Sequence, residues 1–230
     1  MQELNTVYLW GIRIDEPVVT VTDLLVSFLC FLYAYKIHQS GKTEKTFLYF
    51  KIYFFTMGIA TMLGGLIGHA FLYLFDNFRG ELFYWKLPGW IMSMISIMFV
   101  ERAAIEHTRI YLNKSIVNSF KVVNIIEFLI FLTLTVTTLN FFFVEFHSGY
   151  GLMFVVLSLE SFLFYKTRNI AGKYILTGIG FAAVAALIFM NEISFHQWFN
   201  HISASHVLMA IAATFFYLGA IRIDMSEIKQ

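Results

Sequence analysis

Apolar residues run along this chain in long unbroken blocks, and the polar residues collect in the short stretches between them. Seven blocks can be drawn, roughly Val18 to Tyr35, Thr46 to Phe75, Pro88 to Ile105, Phe120 to Phe143, Tyr150 to Tyr165, Lys173 to Met190 and Ile202 to Ile223. Most approach the ~20 residues that an α-helix needs to cross ~30 Å of hydrocarbon. A backbone inside lipid must satisfy its own N–H and C=O groups, so blocks of this length predict helices and not barrel strands. The second block is long enough to require tilt or protrusion; the fifth is the shortest. Connections are short throughout, which predicts one domain over residues 1–230 with an N-terminal segment 1–17 and a tail 224–230. The expected fold class is all-α: a polytopic membrane protein built as a seven-transmembrane-helix bundle.

Composition strengthens that expectation, because 59% hydrophobic and only 13% charged residues leave far more apolar surface than a soluble domain of 230 residues could hide. A net charge of +1 offers no footprint for nucleic acid. The expected surroundings are membrane lipids, with a lipid substrate or a membrane-complex partner. The single cysteine, Cys30, lies inside the first block and permits no intrachain disulfide. Glu3, Asp15 and Glu16 precede that block, unlike the basic start of a cleaved signal peptide.

Charge then sets orientation. Thirteen of the 16 lysines and arginines fall beside one set of block ends, leaving Arg13, Arg79 and Lys86 on the other. The positive-inside rule puts the N-terminus outside and the C-terminus in the cytoplasm, in a bacterial-style inner (plasma) membrane. Seven crossings agree with that assignment.

The same topology sorts the histidines. His69 falls near the outer end of the second block, while His147, His196, His201 and His206 fall in outer loops or outer helix ends. Counting inward at 1.5 Å per residue, Asp23, His69 and His206 each sit roughly 6 to 9 Å deep, with Ser93 at a similar level. Ser203 is an expected N-cap of the last helix, which would leave His201 in the loop before it. Imidazoles in an apolar bundle need hydrogen-bond or metal partners. Three of them with one water would make a catalytic zinc site, so His69, His201 and His206 are candidate ligands, with His196 able to replace His201. The plainer reading is a set of hydrogen-bonded histidines beside the packing glycines Gly64, Gly65 and Gly68. Asp23 could orient a ligating imidazole, act as a general base, or simply bond a neighbouring hydroxyl. Asp76 reads as a solvated loop acid or a proton shuttle, and Ser93 as an oxyanion donor. Glu127 and Glu160 are expected in the inner halves of their helices, and Glu101, Arg102, Glu106 and His107 at a solvated, ion-paired helix end. None of these six is expected to carry chemistry.

The late histidine of block two, His69, together with HVLMAIAATFFYLGA opening block seven and, more weakly, EPVVTVTDLL around block one, resembles the superfamily of alkaline ceramidases and adiponectin/progestin receptors. The resemblance covers the topology of nearly the whole chain. It implies a seven-helix fold holding zinc with three histidines, here His69, His206 and His201, and hydrolysis of a lipid amide or ester. It also implies the alternative of a non-catalytic receptor or an accessory subunit of a larger membrane complex. The sequence departs from the pattern at three points. The histidine pair is five apart instead of four, Gly65 replaces a serine one turn before His69, and the aspartate expected near block three has only Asp76 as a substitute.

The orientation is directly testable. A cysteine placed at Lys42 in a Cys30→Ala background should resist an impermeant thiol reagent in intact cells and react after lysis. Labelling in intact cells would reverse the assignment.

Overall fold

The computed structural model describes residues 5–75 and 83–224. Seven helices, Pro17–Gln39, Lys45–Ala70, Tyr84–Tyr111, Lys114–Thr138, Phe142–Thr167, Ile170–Met190 and His201–Ala220, are long and apolar enough to cross a membrane. The protein is therefore an all-α, multi-pass membrane protein with a seven-helix bundle, as the block pattern predicts.

Local chemistry sets the helix boundaries. Pro17 occupies the opening turn of the first helix, where a missing N–H is harmless and a fixed φ is useful. Asn113, Asn169 and Asn200 cap the fourth, sixth and seventh helices, each side chain accepting a first-turn N–H, from Ser115, Gly172 and Ser203 respectively. Asn200, not Ser203, is thus the cap of the last helix, and His201 is already helical. Leu139 and Arg168, both left-handed, end the fourth helix and the fifth. The fourth helix stops at Thr138 and the fifth begins at Phe142. The break expected near residues 144–149 is absent because the backbone stays helical through Gly149 and Gly151. It passes there into a π-helical turn, Tyr150–Val156. A second π turn, Gly64–Ala70, ends the second helix.

The N-terminal segment is ordered, which the block pattern gives no sign of. Strands Thr6–Leu9 and Ile12–Asp15 pair antiparallel, with Thr6 opposite Asp15. Trp10 and Gly11, at φ 51° and 80°, form the two-residue turn that suits the strand twist. Asp15 locks the base by accepting from Thr6 Oγ1 at 2.7 Å and from Arg13 Nε and Nη2 at 2.8 and 2.9 Å. The hairpin is held to the bundle by Tyr73, whose hydroxyl donates to the Arg13 carbonyl at 3.0 Å, and by Asn5, whose amide donates to the Gln197 carbonyl at 2.6 Å. It therefore spans the end of the second helix and the loop before the seventh.

The apolar core joins the first, second, third and seventh helices, with Val26, Phe50, Phe54, Val100 and Phe216 all buried. The fourth helix is peripheral, and Ile126, Leu129 and Ile130 stay exposed as a lipid-facing stripe.

Close contact between the first and second helices depends on Gly65. A Cβ there would meet Asp23 Cβ at 3.0 Å and the Thr20 carbonyl at 3.2 Å, whereas one at Gly68 would meet nothing within 4 Å. Gly65→Leu should therefore destabilise the bundle by roughly 1 to 3 kcal/mol through overpacking, while Gly68→Ala should leave the melting temperature in detergent unchanged or higher. Equal melting temperatures for wild type and Gly65→Leu would show that the two helices are not in this contact.

Candidate functional site

Three helices and the hairpin junction bring ionisable side chains together at the hairpin end of the bundle. Glu16 lies between the hairpin strand and the first helix, Asp23 lies two turns into that helix, His69 sits in the π turn of the second, and His206 lies in the second turn of the seventh. A π turn adds one residue to a helical turn and so rotates the residues beyond it about the helix axis. Gly64 and Gly65 lie in the same turn and let the Asp23 carboxylate approach the helix, since a Cβ on Gly64 would come within 3.1 Å of Asp23 Oδ2.

The contacts form a chain. His69 Nδ1 lies 2.8 Å from Glu16 Oε2, and its Nε2 faces Asp23 Oδ2 at 3.9 Å. The other Asp23 oxygen lies 3.4 Å from His206 Nε2, and His206 Nδ1 lies 3.2 Å from the Thr22 hydroxyl. Asp23 thus stands between two imidazoles and is the most deeply buried of the four, its side chain 6% exposed against 13 to 21% for the others. The Thr22 hydroxyl donates to the Val18 and Val19 carbonyls at 3.0 and 2.9 Å, so its oxygen is left to accept from the His206 Nδ1–H.

Glu16 holds its place at a conformational cost. Its φ of 45° and ψ of 53° are left-handed, immediately before Pro17. A non-glycine residue there stores about 1 to 3 kcal/mol of strain, a feature that clusters at functional sites. Burial pushes the Glu16 carboxyl up, but the hydrogen bond and charge of His69, aided by Lys86, outweigh it and leave the pKa below its ordinary value. Glu16 is therefore anionic at neutral pH and accepts the His69 Nδ1–H.

Asp23, His69 and His206, which residue counting sets at one depth, lie against one another. His201 does not join them. Its ring contacts Ser194 Oγ at 3.4 Å and Phe189, with ring centroids 5.7 Å apart. The cause is the Asn200 cap: both histidines lie on one regular helix, where five residues turn the side chains about 140° apart. His196 is exposed in the preceding loop, its Nδ1 accepting from the Trp198 backbone at 3.1 Å. Ser93 is half-buried, and among the described residues its hydroxyl has no hydrogen bond to the cluster. Asp76 lies outside the described residues.

A zinc ion on three histidines can be tested against this donor set. The His69 and His206 ring centroids are 6.4 Å apart at 72°. Among the described residues, neither the His69, His201 and His206 trio nor Asp23, His69 and His206 offers three ligand atoms within 4.8 Å of one another. Ligand atoms at ~2.0 to 2.2 Å from one ion would lie closer than that. The three-histidine site implied by the resemblance does not fit, and no chemistry is routed through zinc at this end.

The set that does meet the criterion is Glu101, Glu127 and His147, all buried. His147 lies inside the fifth helix instead of an outer loop, with Nδ1 2.8 Å from Glu127 Oε2. Glu101, Glu106 and His107 are likewise buried and not part of a solvated end. His107 Nδ1 is 2.9 Å from Glu160 Oε1, while Glu106 pairs with Lys121 and with Arg109. No sequence signal joins the histidine–carboxylate pairs, because each crosses between helices; only Glu106 with Arg109 is a local, i,i+3 contact. For Glu16, the only signal is an acid directly before a helix-opening proline.

The chain belongs to a family of unknown function (DUF6962), whose profile matches residues 18–225, from the first helix through the seventh. No curated protein and no solved structure matches it.

The Glu16–His69 pair predicts a pH signature. Because the Glu16 pKa is lowered by folding, its contribution is fully present above the ordinary value of 4.5 and is lost as pH falls through the folded value. Glu16→Gln should therefore lower stability by about 1 kcal/mol near pH 6, with the gap to wild type closing in acid. A gap that is constant from pH 6 to pH 3 would show that the carboxylate charge contributes nothing.

Proposed function

We propose that the protein is a membrane-embedded hydrolase that cleaves a lipid amide or ester at the hairpin end of the bundle, which faces the outside of the membrane. The observation that carries this reading is the Asp23 carboxylate set between two imidazoles, one of which is held by a second, anionic carboxylate. Such an arrangement separates a base from an acid within one site. The resemblance to ceramidase-like proteins supports the substrate class, since it draws on the same His69 and His206.

The roles follow from the contacts. Asp23 accepts a proton from a water as the water oxygen adds to the substrate carbonyl. Glu16 accepts the His69 Nδ1–H and turns Nε2 towards Asp23. The proton on Asp23 passes to Nε2 across the 3.9 Å gap, and the imidazolium so formed gives it to the departing amine or alkoxide, which restores the site. His206, set against Thr22, lies beside the Asp23 carboxylate and holds it in place. Water plus the cleaved bond yields a carboxylic acid and an amine or alcohol, with no net proton left on the protein.

A non-catalytic receptor or accessory role is the second reading. It is favoured by Gly65, which packs against Asp23 at the position where the resemblance expects a serine and offers no hydroxyl there.

The test is turnover by purified protein in lipid nanodiscs with fluorogenic lipid-amide and lipid-ester substrates. Hydrolysis of one of them should fall on the order of 10²-fold or more in kcat for Asp23→Asn, with a smaller loss for Glu16→Gln and none for Cys30→Ala. No turnover of either class, or turnover that survives Asp23→Asn, would reject the hydrolase reading in favour of the non-catalytic one.

A further inference from the structure

The second buried cluster lies between the third, fourth and fifth helices and shares no residue with the hairpin-end cluster. Glu127 is central in the 25-residue fourth helix, Glu101 is in the inner half of the third, and His147 is in the second turn of the fifth. His147 and Glu101 are fully buried and Glu127 is 8% exposed. Charged groups are expensive at this depth, so each needs a partner.

Protein partners account for only part of the requirement. His147 Nε2 lies 3.0 Å from the Met94 carbonyl, an acceptor, so that nitrogen carries the ring proton. In the neutral ring, Nδ1 then turns its lone pair towards Glu127 Oε2, 2.8 Å away. Glu101 Oε2 accepts from the Asn124 amide at 3.1 Å, and Asn124 is itself held through its oxygen by Arg102 Nε at 2.5 Å. Glu101 Oε1 and Glu127 Oε1 are buried with no hydrogen-bond partner among the described residues. Gly151, within the second π turn, packs directly against the Glu101 carboxylate: a Cβ there would come within 2.5 Å of Glu101 Oε1 and of Ile97 Cγ2.

We propose that Glu101, Glu127 and His147 bind one divalent transition-metal cation of the zinc class. One ligand atom from each residue falls within 4.8 Å of the others, about the span of a coordination shell with bonds of ~2.0 to 2.2 Å. Two carboxylates balance a divalent charge, and a mixed nitrogen and oxygen donor set suits zinc, manganese or iron better than calcium. The Met94 carbonyl fixes the imidazole tautomer from behind, and the Asn124 amide orients Glu101, as supporting groups do around metal ligands. The missing side chain at Gly151 lets the fifth helix come close enough to the third for Glu101 to reach the other two ligands. The site does not depend on the hydrolase reading, since it shares no residue with the hairpin-end cluster.

Metal analysis of the full chain tests it. Protein purified in detergent without chelator, or chelated and then incubated with zinc chloride, should hold about one metal per chain and melt higher than the chelated form. Glu127→Gln and His147→Gln should bind zinc about 10-fold or more weakly, while His69→Gln/His206→Gln should retain it. Cobalt substitution of wild type supplies a readout that needs no variant to fold: visible d–d absorption is expected without the near-ultraviolet thiolate band that Cys30 ligation would give. Wild type that takes up no zinc, cobalt or manganese would overturn the proposal and leave the cluster sharing protons instead. Metal lost from the His69/His206 variant but kept by Glu127→Gln and His147→Gln would overturn it equally, by moving the ion to the hairpin end.

Discussion

An ionisable side chain inside an apolar bundle must find a partner on another helix, and this constraint shapes the protein more than any apolar contact does. Four histidine–carboxylate pairs meet it: His69 with Glu16, His206 with Asp23, His107 with Glu160 and His147 with Glu127. Each joins segments far apart in sequence. Apolar packing in lipid is weakly directional, because lipid tails are as apolar as leucine. The pairs supply direction, since a carboxylate that loses its imidazole is left with an uncompensated buried charge.

Both π turns lie against such clusters. Gly64–Ala70 carries His69 and lets Asp23 approach, and Tyr150–Val156 places Gly151 against Glu101. A π turn is less favourable than the α-helix it interrupts and is kept mostly where an extra residue re-aims a helix at a functional site. Its coincidence with the two carboxylate–imidazole clusters gives the helix backbone and the buried charges a common explanation. In each case a glycine in the wide turn provides the space that the carboxylate occupies.

The seven helices are legible in the sequence because the length of an apolar block is set by the thickness of lipid, which needs no tertiary information. The common depth of Asp23, His69 and His206 is legible for the same reason, as depth is a count along a helix. Rotation is not. With Ser203 as the cap, His201 would be free to turn in, whereas the Asn200 cap makes it helical and turns it away. The gap between the fourth and fifth blocks, residues 144–149, reads as an outer loop holding His147, although the helix runs through it. The N-terminal hairpin rests on Trp10 adopting a positive φ, which that residue rarely does and composition does not signal. Pairings such as Glu127 with His147 depend on which faces meet, and that is settled only by packing.

The central claim is that cross-helix imidazole–carboxylate pairs hold and specify this bundle. A double-mutant cycle on Asp23 and His206, read as unfolding free energy of Asp23→Asn, His206→Gln and the double variant in one detergent, measures it most directly. The account predicts that the two changes are coupled by about 1 kcal/mol or more, with the double variant less destabilised than the sum of the singles. Additivity within ~0.5 kcal/mol would contradict it, because residues that do not interact add in that way.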